Sequence, residues 1–271
     1  MKKVLLPTNF SKKARNAARY AMQLFREDQP KFHLLNAYDL PAWSTVVQIS
    51  ALQGGIGVKA KKSLIEDQHR FTKEVSIYGA SFTTATEFGK ASRVILGYAN
   101  RHQVDYVVMG TQGGNNYRKF FSGSNTQEVL RKAQCPIIAI PERARYQTPK
   151  NILFIPDPNA TINTERLGPL VEITEKFDSQ IIVLNLINRF SVGKTEQHLK
   201  DLKKQLGDSF HSFHLLSEHN IEEGLDKFLD NNDVDLLVLQ GKNNFLNNMF
   251  RSWNSRKSPS FSKRPLLAIR N

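Results

Sequence analysis

An α/β fold built from two tandem units is what this chain predicts, and three observations carry the prediction. Short apolar runs of strand character alternate with amphipathic helical runs through the first half. Much of the same order returns in the second half, between 129 and 149 residues further on. Finally, some of these runs, such as Tyr106–Met109 and Pro136–Ile140, are continuously apolar, as in parallel strands buried on both faces.

The elements follow in order. Val4–Leu6 reads as a strand, and Ser11 then precedes a helix with Ala14, Ala17, Ala18, Ala21 and Phe25 on one face. His33–Tyr38 reads as a second strand, followed by a charged helical stretch from about Val58 to Val75. Phe82–Glu87 suggests a third strand. The next helix carries Ala91, Val94, Ile95, Tyr98, Ala99 and His102 on one stripe. Strands at Tyr106–Met109 and Pro136–Ile140 flank a helical run from Asn125 to Ala133 and close the unit.

The repeat is explicit in the residues. Val104-Asp105-Tyr106-Val107-Val108 matches Val234-Asp235-Leu236-Leu237-Val238, and Pro136-Ile137-Ile138-Ala139-Ile140 matches Pro265-Leu266-Leu267-Ala268-Ile269. Leu35-Asn36 pairs with Leu184-Asn185, and Lys3-Val4-Leu5-Leu6 resembles Asn151-Ile152-Leu153-Phe154. The polar, proline-flanked stretch Glu142–Pro149 reads as the junction. The expected domains are therefore 1–146 and 147–271.

Composition narrows the class. The 271 residues are 40% hydrophobic and 10% aromatic, enough for packed cores. The opening Met1-Lys2-Lys3 and the short apolar run before Pro7 are too brief for a signal peptide. No apolar run approaches the ~20 residues of a membrane helix, so no membrane partner is expected. The single cysteine, Cys135, excludes an internal disulfide and fits a cytoplasmic setting. Residues 1–150 hold 23 Lys and Arg against 10 Asp and Glu, whereas the remainder is balanced. The first half therefore attracts anions. Nucleic acid is not the expected one, because no reading module is visible and the cations are not interleaved with stacking aromatics.

The loop after the fourth strand carries the candidate chemistry. Gly110-Thr111-Gln112-Gly113 is followed, after nine intervening residues, by Gly123-Ser124, where a helix begins. Glycines there let backbone N–H groups approach a ligand, and the helix start adds unpaired donors and positive dipole. Together they make a seat for phosphate. The same residues also fit a structural reading, in which the glycines shape a turn and Ser124-x-x-Gln127 is a capping box.

The spacing G-x-x-G-x9-G-S, with Val104–Gly110 before it, Cys135–Pro141 after it and Val4–Ser11 at the start, resembles the ATP-binding branch of the universal stress protein family over about residues 1–141. The resemblance implies the adenine nucleotide alpha hydrolase-like fold, here as two tandem doubly wound five-stranded parallel sheets of strand order 3-2-1-4-5. It implies nucleoside contacts at Pro7, Thr8, Asn9 and Ala37, a neck at Met109 and Gly110, and phosphate contacts at Gly113, Gly123, Ser124 and Asn125. Arg118 and Lys119 lie in the same loop as lesser candidates. The ligand would be ATP, or ADP or AMP, with Mg as a possible companion. The family commonly has aspartate where this chain has Asn9, which keeps an acceptor oxygen but loses the charge.

In the second unit Gln240 faces Gly110, Asn243 faces Gly113, and Ser252-Trp253 faces Gly123-Ser124. No nucleotide is expected there, and the helix around Ser255–Lys263 reads as poorly formed. No catalytic residue and no metal site is assigned: His211 and His214 lack clustered carboxylates or cysteines. With no placed base, slow ATP hydrolysis is the most the sequence allows. The leading expectation is a stress-response nucleotide-sensing protein. The alternative is a nucleotide-free scaffold whose domains pair edge to edge and whose remaining surfaces make a homodimer and meet protein partners.

Overall fold

The computed structural model describes residues 1–39, 46–74, 77–111, 124–160, 164–187, 195–217, 221–255 and 263–271. The first half runs β1 (Lys3–Pro7), α1 (Lys12–Leu24), β2 (Lys31–Tyr38), α2 (Val46–Glu74), β3 (Ser81–Phe88), α3 (Ala91–His102), β4 (Tyr106–Thr111), α4 (Ser124–Lys132) and β5 (Ile137–Pro141). The second half runs β6 (Asn151–Pro156), α5 (Gly168–Phe177), β7 (Gln180–Ile187), α6 (Thr195–Leu206), β8 (Phe210–Ser217), α7 (Ile221–Asn231), β9 (Leu236–Gly241), α8 (Asn243–Ser255) and β10 (Leu266–Arg270).

Each half is a parallel sheet of order 3-2-1-4-5, the arrangement that the alternation and the resemblance imply. The two sheets are not separate. β5 pairs antiparallel with β10, Leu266 opposite Ala139 and Ala268 opposite Ile137, so ten strands form one sheet in the order β3-β2-β1-β4-β5-β10-β9-β6-β7-β8. Short apolar strands explain the burial: β5 and β9 are buried along their whole length, as strands covered on both faces must be.

Alternation along the strands divides the apolar side chains between two cores. One holds Leu5, Val107 and Met109 with residues of α3, α4, α7 and α8. The other holds Val4, Leu6, Tyr106 and Val108 with residues of α1, α2, α5 and α6. Both cores run across the seam. Lys176 on α5 donates to the Leu24 carbonyl at 2.7 Å and pairs with Asp28, and Lys2 pairs with Glu172 at 2.7 Å.

α2 begins at Val46, well before the expected Val58, and continues to Glu74. The glycines that blur its helical pattern, Gly54, Gly55 and Gly57, lie within the helix. The second half differs more. α8 begins directly after β9, in place of a long loop. The poorly formed helix expected at Ser255–Lys263 falls largely outside the described residues.

Candidate functional site

β1 and β4 lie side by side, Val4 opposite Tyr106 and Leu5 opposite Val107. That junction is where the chain order of the first half reverses, and in open α/β sheets the crevice beyond the carboxyl ends at such a point is the usual ligand seat. A cleft of about 150 Å³ opens there. Seven of the ten residues singled out from sequence line it: Pro7, Thr8, Asn9, Ala37, Met109, Gly110 and Asn125. Gly113 and Gly123 lie outside the described residues, as do Arg118, Lys119 and the side chain of Ser124.

The loop after β1 is fixed by its own short side chains. The Thr8 N–H donates to the Leu35 carbonyl at 2.8 Å, and the buried Asn36 amide donates to the Thr8 carbonyl at 2.7 Å. Thr8 Oγ1 accepts from the Phe10 N–H at 3.0 Å. Phe10 sits at φ 62°, a left-handed conformation seldom adopted by a bulky residue. Asn9 Oδ1 accepts from the Ser11 hydroxyl at 2.6 Å and from its N–H at 3.3 Å, while the Ser11 side chain caps α1 by accepting from Ala14. The acceptor oxygen of Asn9 is therefore committed to Ser11. What Asn9 offers a ligand is its amide N–H2.

Gly110 has a second reason to lack a side chain. A Cβ there would stand 2.5 Å from the Lys13 carbonyl oxygen and 2.7 Å from its carbon. The glycine lets α1 lie close on β4, and that closeness brings Lys13 and Ala14 to the cleft. Lys13, Ala14, Leu35, Ala91, Ile95 and Thr126 line the cleft without having been singled out as site residues. Ala14 and Ile95 were read from sequence only as packing residues. Lys13 is the one cation among the described lining residues, and its place in the first turn after Ser11 was the available signal.

On the far side, α4 is braced by Glu128. Its carboxylate accepts from Lys132 at 2.8 Å, from Lys90 at 2.5 Å and from the buried Ser92 hydroxyl at 2.7 Å. These partners hold the Glu128 pKa well below the usual carboxylate range. The bracing ties α4 to the start of α3 and sets Asn125 and Thr126 over the cleft. Leu35, Ala37, Ile95 and Met109 give one apolar wall, while Thr8, Asn9, Lys13, Asn125 and Thr126 give a polar one. Such a cleft can sandwich a flat apolar ring system and orient polar groups attached to it.

The counterpart corner of the second half is built otherwise. Asp157 occupies the position equivalent to Asn9, and accepts from the Asn159 N–H at 3.0 Å and the Lys242 N–H at 3.3 Å. A Cβ on Gly241 would stand 2.5 Å from the Phe245 ring and 2.8 Å from Asp157 Cβ, so Phe245 fills the end of β9. Gln240 is buried where the first half has Gly110. Ser252 and Trp253 fall near the end of α8, not at a helix start.

Among the described residues there is no group of three or more His, Cys, Asp or Glu able to hold a metal ion. His214 instead meets the Ser212 hydroxyl at 3.0 Å and the Phe228 ring. Burial pushes the Cys135 thiol up to about 11, which keeps it protonated and unreactive. No described helix is long and apolar enough to cross a membrane.

Comparison with known proteins agrees with this architecture. The universal stress protein MJ0531 of Methanocaldococcus jannaschii is 24% identical over 148 residues, covering 51% of this chain and 81% of that protein. A universal stress protein from Archaeoglobus fulgidus superposes with a TM-score of 0.68 at 14% identity, over 99% of this chain and 96% of its own. A putative universal stress protein from Pseudomonas aeruginosa gives 0.62 at 12% identity, over 100% and 93%. At those identities the two structures speak for the fold alone. The sequence pattern of the universal stress protein family matches residues 1–141, from β1 through β5, where the cleft and its glycine loop lie. With more than half its length so matched, this chain belongs to the universal stress protein family.

Proposed function

We propose that the chain is a cytoplasmic stress-response protein that binds ATP, or ADP or AMP, in the cleft between β1 and β4. The first unit, residues 1–146, is the binding domain, and the second, 147–271, is its nucleotide-free packing partner. The observation that carries the reading is the convergence of Pro7, Thr8, Asn9, Ala37, Met109, Gly110 and Asn125, from four separate segments, on one cleft at the switch point of the sheet. The apolar wall suits the base. Lys13 and the start of α4 supply positive potential for phosphates, which Gly113, Gly123 and Ser124 would hold, with Mg as a companion to the phosphates. Bound nucleotide acts by shifting the population of the glycine loop, not by turnover, since no general base is placed among the described residues of the cleft.

Calorimetry with ATP tests this on wild type, Ala37→Trp and Gly123→Val. Saturable binding in wild type, lost on filling the cleft with Trp and weakened by Val, is expected. No binding in wild type overturns the reading, and unchanged affinity in Gly123→Val removes the loop from the site.

A second reading has its own support. The β5–β10 seam joins the two units in one sheet, and Asn9 has its acceptor oxygen occupied by Ser11. Both suit a scaffold that works through protein partners and homodimerises by its remaining surfaces. Purified protein free of nucleotide, yet dimeric in a concentration-dependent way, would favour it.

A further inference from the structure

A cavity larger than the family cleft lies elsewhere on the first half. A cavity of about 500 Å³ lies on the other side of α1, lined by Lys12, Arg15, Arg19, Arg70, Arg143 and Arg145, with Asn16 and Glu142. A second, of about 230 Å³, adjoins it and shares Arg143 and Arg145 as a wall, then adds Lys263 and Arg264 from the second half. The two form one basic groove across the connection between the domains.

Its charge is only partly compensated. Asp67 accepts from Arg15 at 2.9 Å, and Glu74 from Arg19 at 2.7 Å. Arg264 is held by the carbonyls of Val234 and Leu229. Lys12, Arg145 and Lys263 have no carboxylate partner among the described residues, and all three are exposed. The groove floor is fixed: Asn16 Nδ2 donates to the Pro141 and Ala144 carbonyls at 3.1 and 2.9 Å, which pins the chain carrying Arg143 and Arg145. A concave, preorganised, arginine-rich surface recognises phosphate oxygens through forked N–H donors.

The same lining argues about what bears the phosphates. Among the described lining residues Tyr20 is the only aromatic one, and its ring is buried edge-on against Tyr146. Among the described lining residues no ring is presented on which a base could stack, and stacking supplies much of the affinity for single-stranded nucleic acid. We infer that this groove binds a linear inorganic polyphosphate, gripped by Lys12 and Arg145 across the domain junction, at a site separate from the nucleotide cleft.

The test measures binding of sodium polyphosphate to the full chain by calorimetry at two ionic strengths. Wild type is expected to bind with strong salt dependence. Lys12→Glu/Arg145→Glu, which breaks no ion pair among the described residues, is expected to lose at least tenfold in affinity and to flatten the salt slope by about one per contact removed. A control of equal charge change on α6, Lys200→Glu/Lys204→Glu, is expected to lose less than threefold. The inference is overturned by absence of binding, by equal loss in both double variants, or by single-stranded RNA of equal charge binding as tightly through Lys12 and Arg145. Thermal melts of the variants check the fold, and the ATP titration above reads the other cleft independently.

Discussion

Gly110 shows how one residue type can serve two ends. From sequence its value lay in a bare backbone near phosphate, and that reading is compatible with its place in the cleft. The contact with Lys13 was not legible, because a tight helix–strand approach leaves no local pattern. Gly110→Ala is expected to cost about 1–3 kcal/mol in urea denaturation, since the added carbon meets backbone that cannot swing aside. A loss below ~0.5 kcal/mol would mean that α1 shifts freely. His33 makes a second prediction at this scale. It is buried, with Nδ1 3.0 Å from the Tyr98 hydroxyl and 3.1 Å from that of Thr83, and Nε2 has no partner among the described residues. Burial first, then the nearby Lys31, His102 and Lys3, push its pKa down to about 4. The unfolded chain binds this proton near pH 6.5 and the folded chain only near 4, so stability falls as pH drops through that window, by up to about 1.4 kcal/mol per pH unit. His33→Gln is expected to flatten the wild-type slope between pH 6.5 and 4 in denaturant titrations; parallel slopes would contradict the assignment.

Among the elements, α1 does most to organise the molecule. Its alanine face packs on the core as the sequence pattern required, with Ala17 and Ala21 almost fully buried. One of its remaining faces borders the cleft between β1 and β4 and another the basic groove. The periodicity made the apolar face legible, but it could not say what lies beside the polar ones, because those neighbours come from distant segments. Asn16 illustrates the gap: in the sequence it is a polar residue mid-helix, yet its amide anchors the connection between the domains. Asn16→Ala would leave the Ala144 carbonyl without its Asn16 donor and the Pro141 carbonyl with the Ala144 N–H alone, at a cost of roughly 1–3 kcal/mol. Amide hydrogen exchange over residues 142–149 should quicken in that variant, and unchanged protection there would show that the connection is held by other means.

At the scale of the molecule, the duplication was legible and edge-to-edge pairing of the domains was expected, but not which strands would make the seam. Val104–Val108 and Val234–Val238 announce equivalent strands, but no spacing says that β5 and β10 will meet edge to edge. The seam uses the open edges that isolated units would expose. Residues 1–146 alone would present β5, with Ile137, Ile138 and Ile140 buried in the whole chain now near that edge. Analytical ultracentrifugation of this fragment is expected to show a dimer. A monomer at every concentration would mean that the seam contributes little. Lys176 offers a milder probe: Lys176→Met leaves Asp28 partly buried without its cation, and the melting temperature should drop by a few degrees, about 1 kcal/mol for a chain of this size.

Because the seam is antiparallel, the two halves are mounted head to tail. Where the first half ends its strands, the second begins them, so Asp157 and Phe245 stand at the opposite pole of the sheet from Thr8 and Gly110. A ligand taken up at one pole does not compete for room with anything docked at the other. The closed corner of the second half was thus free to become packing without disturbing its twin, and the chain faces its surroundings with two dissimilar ends.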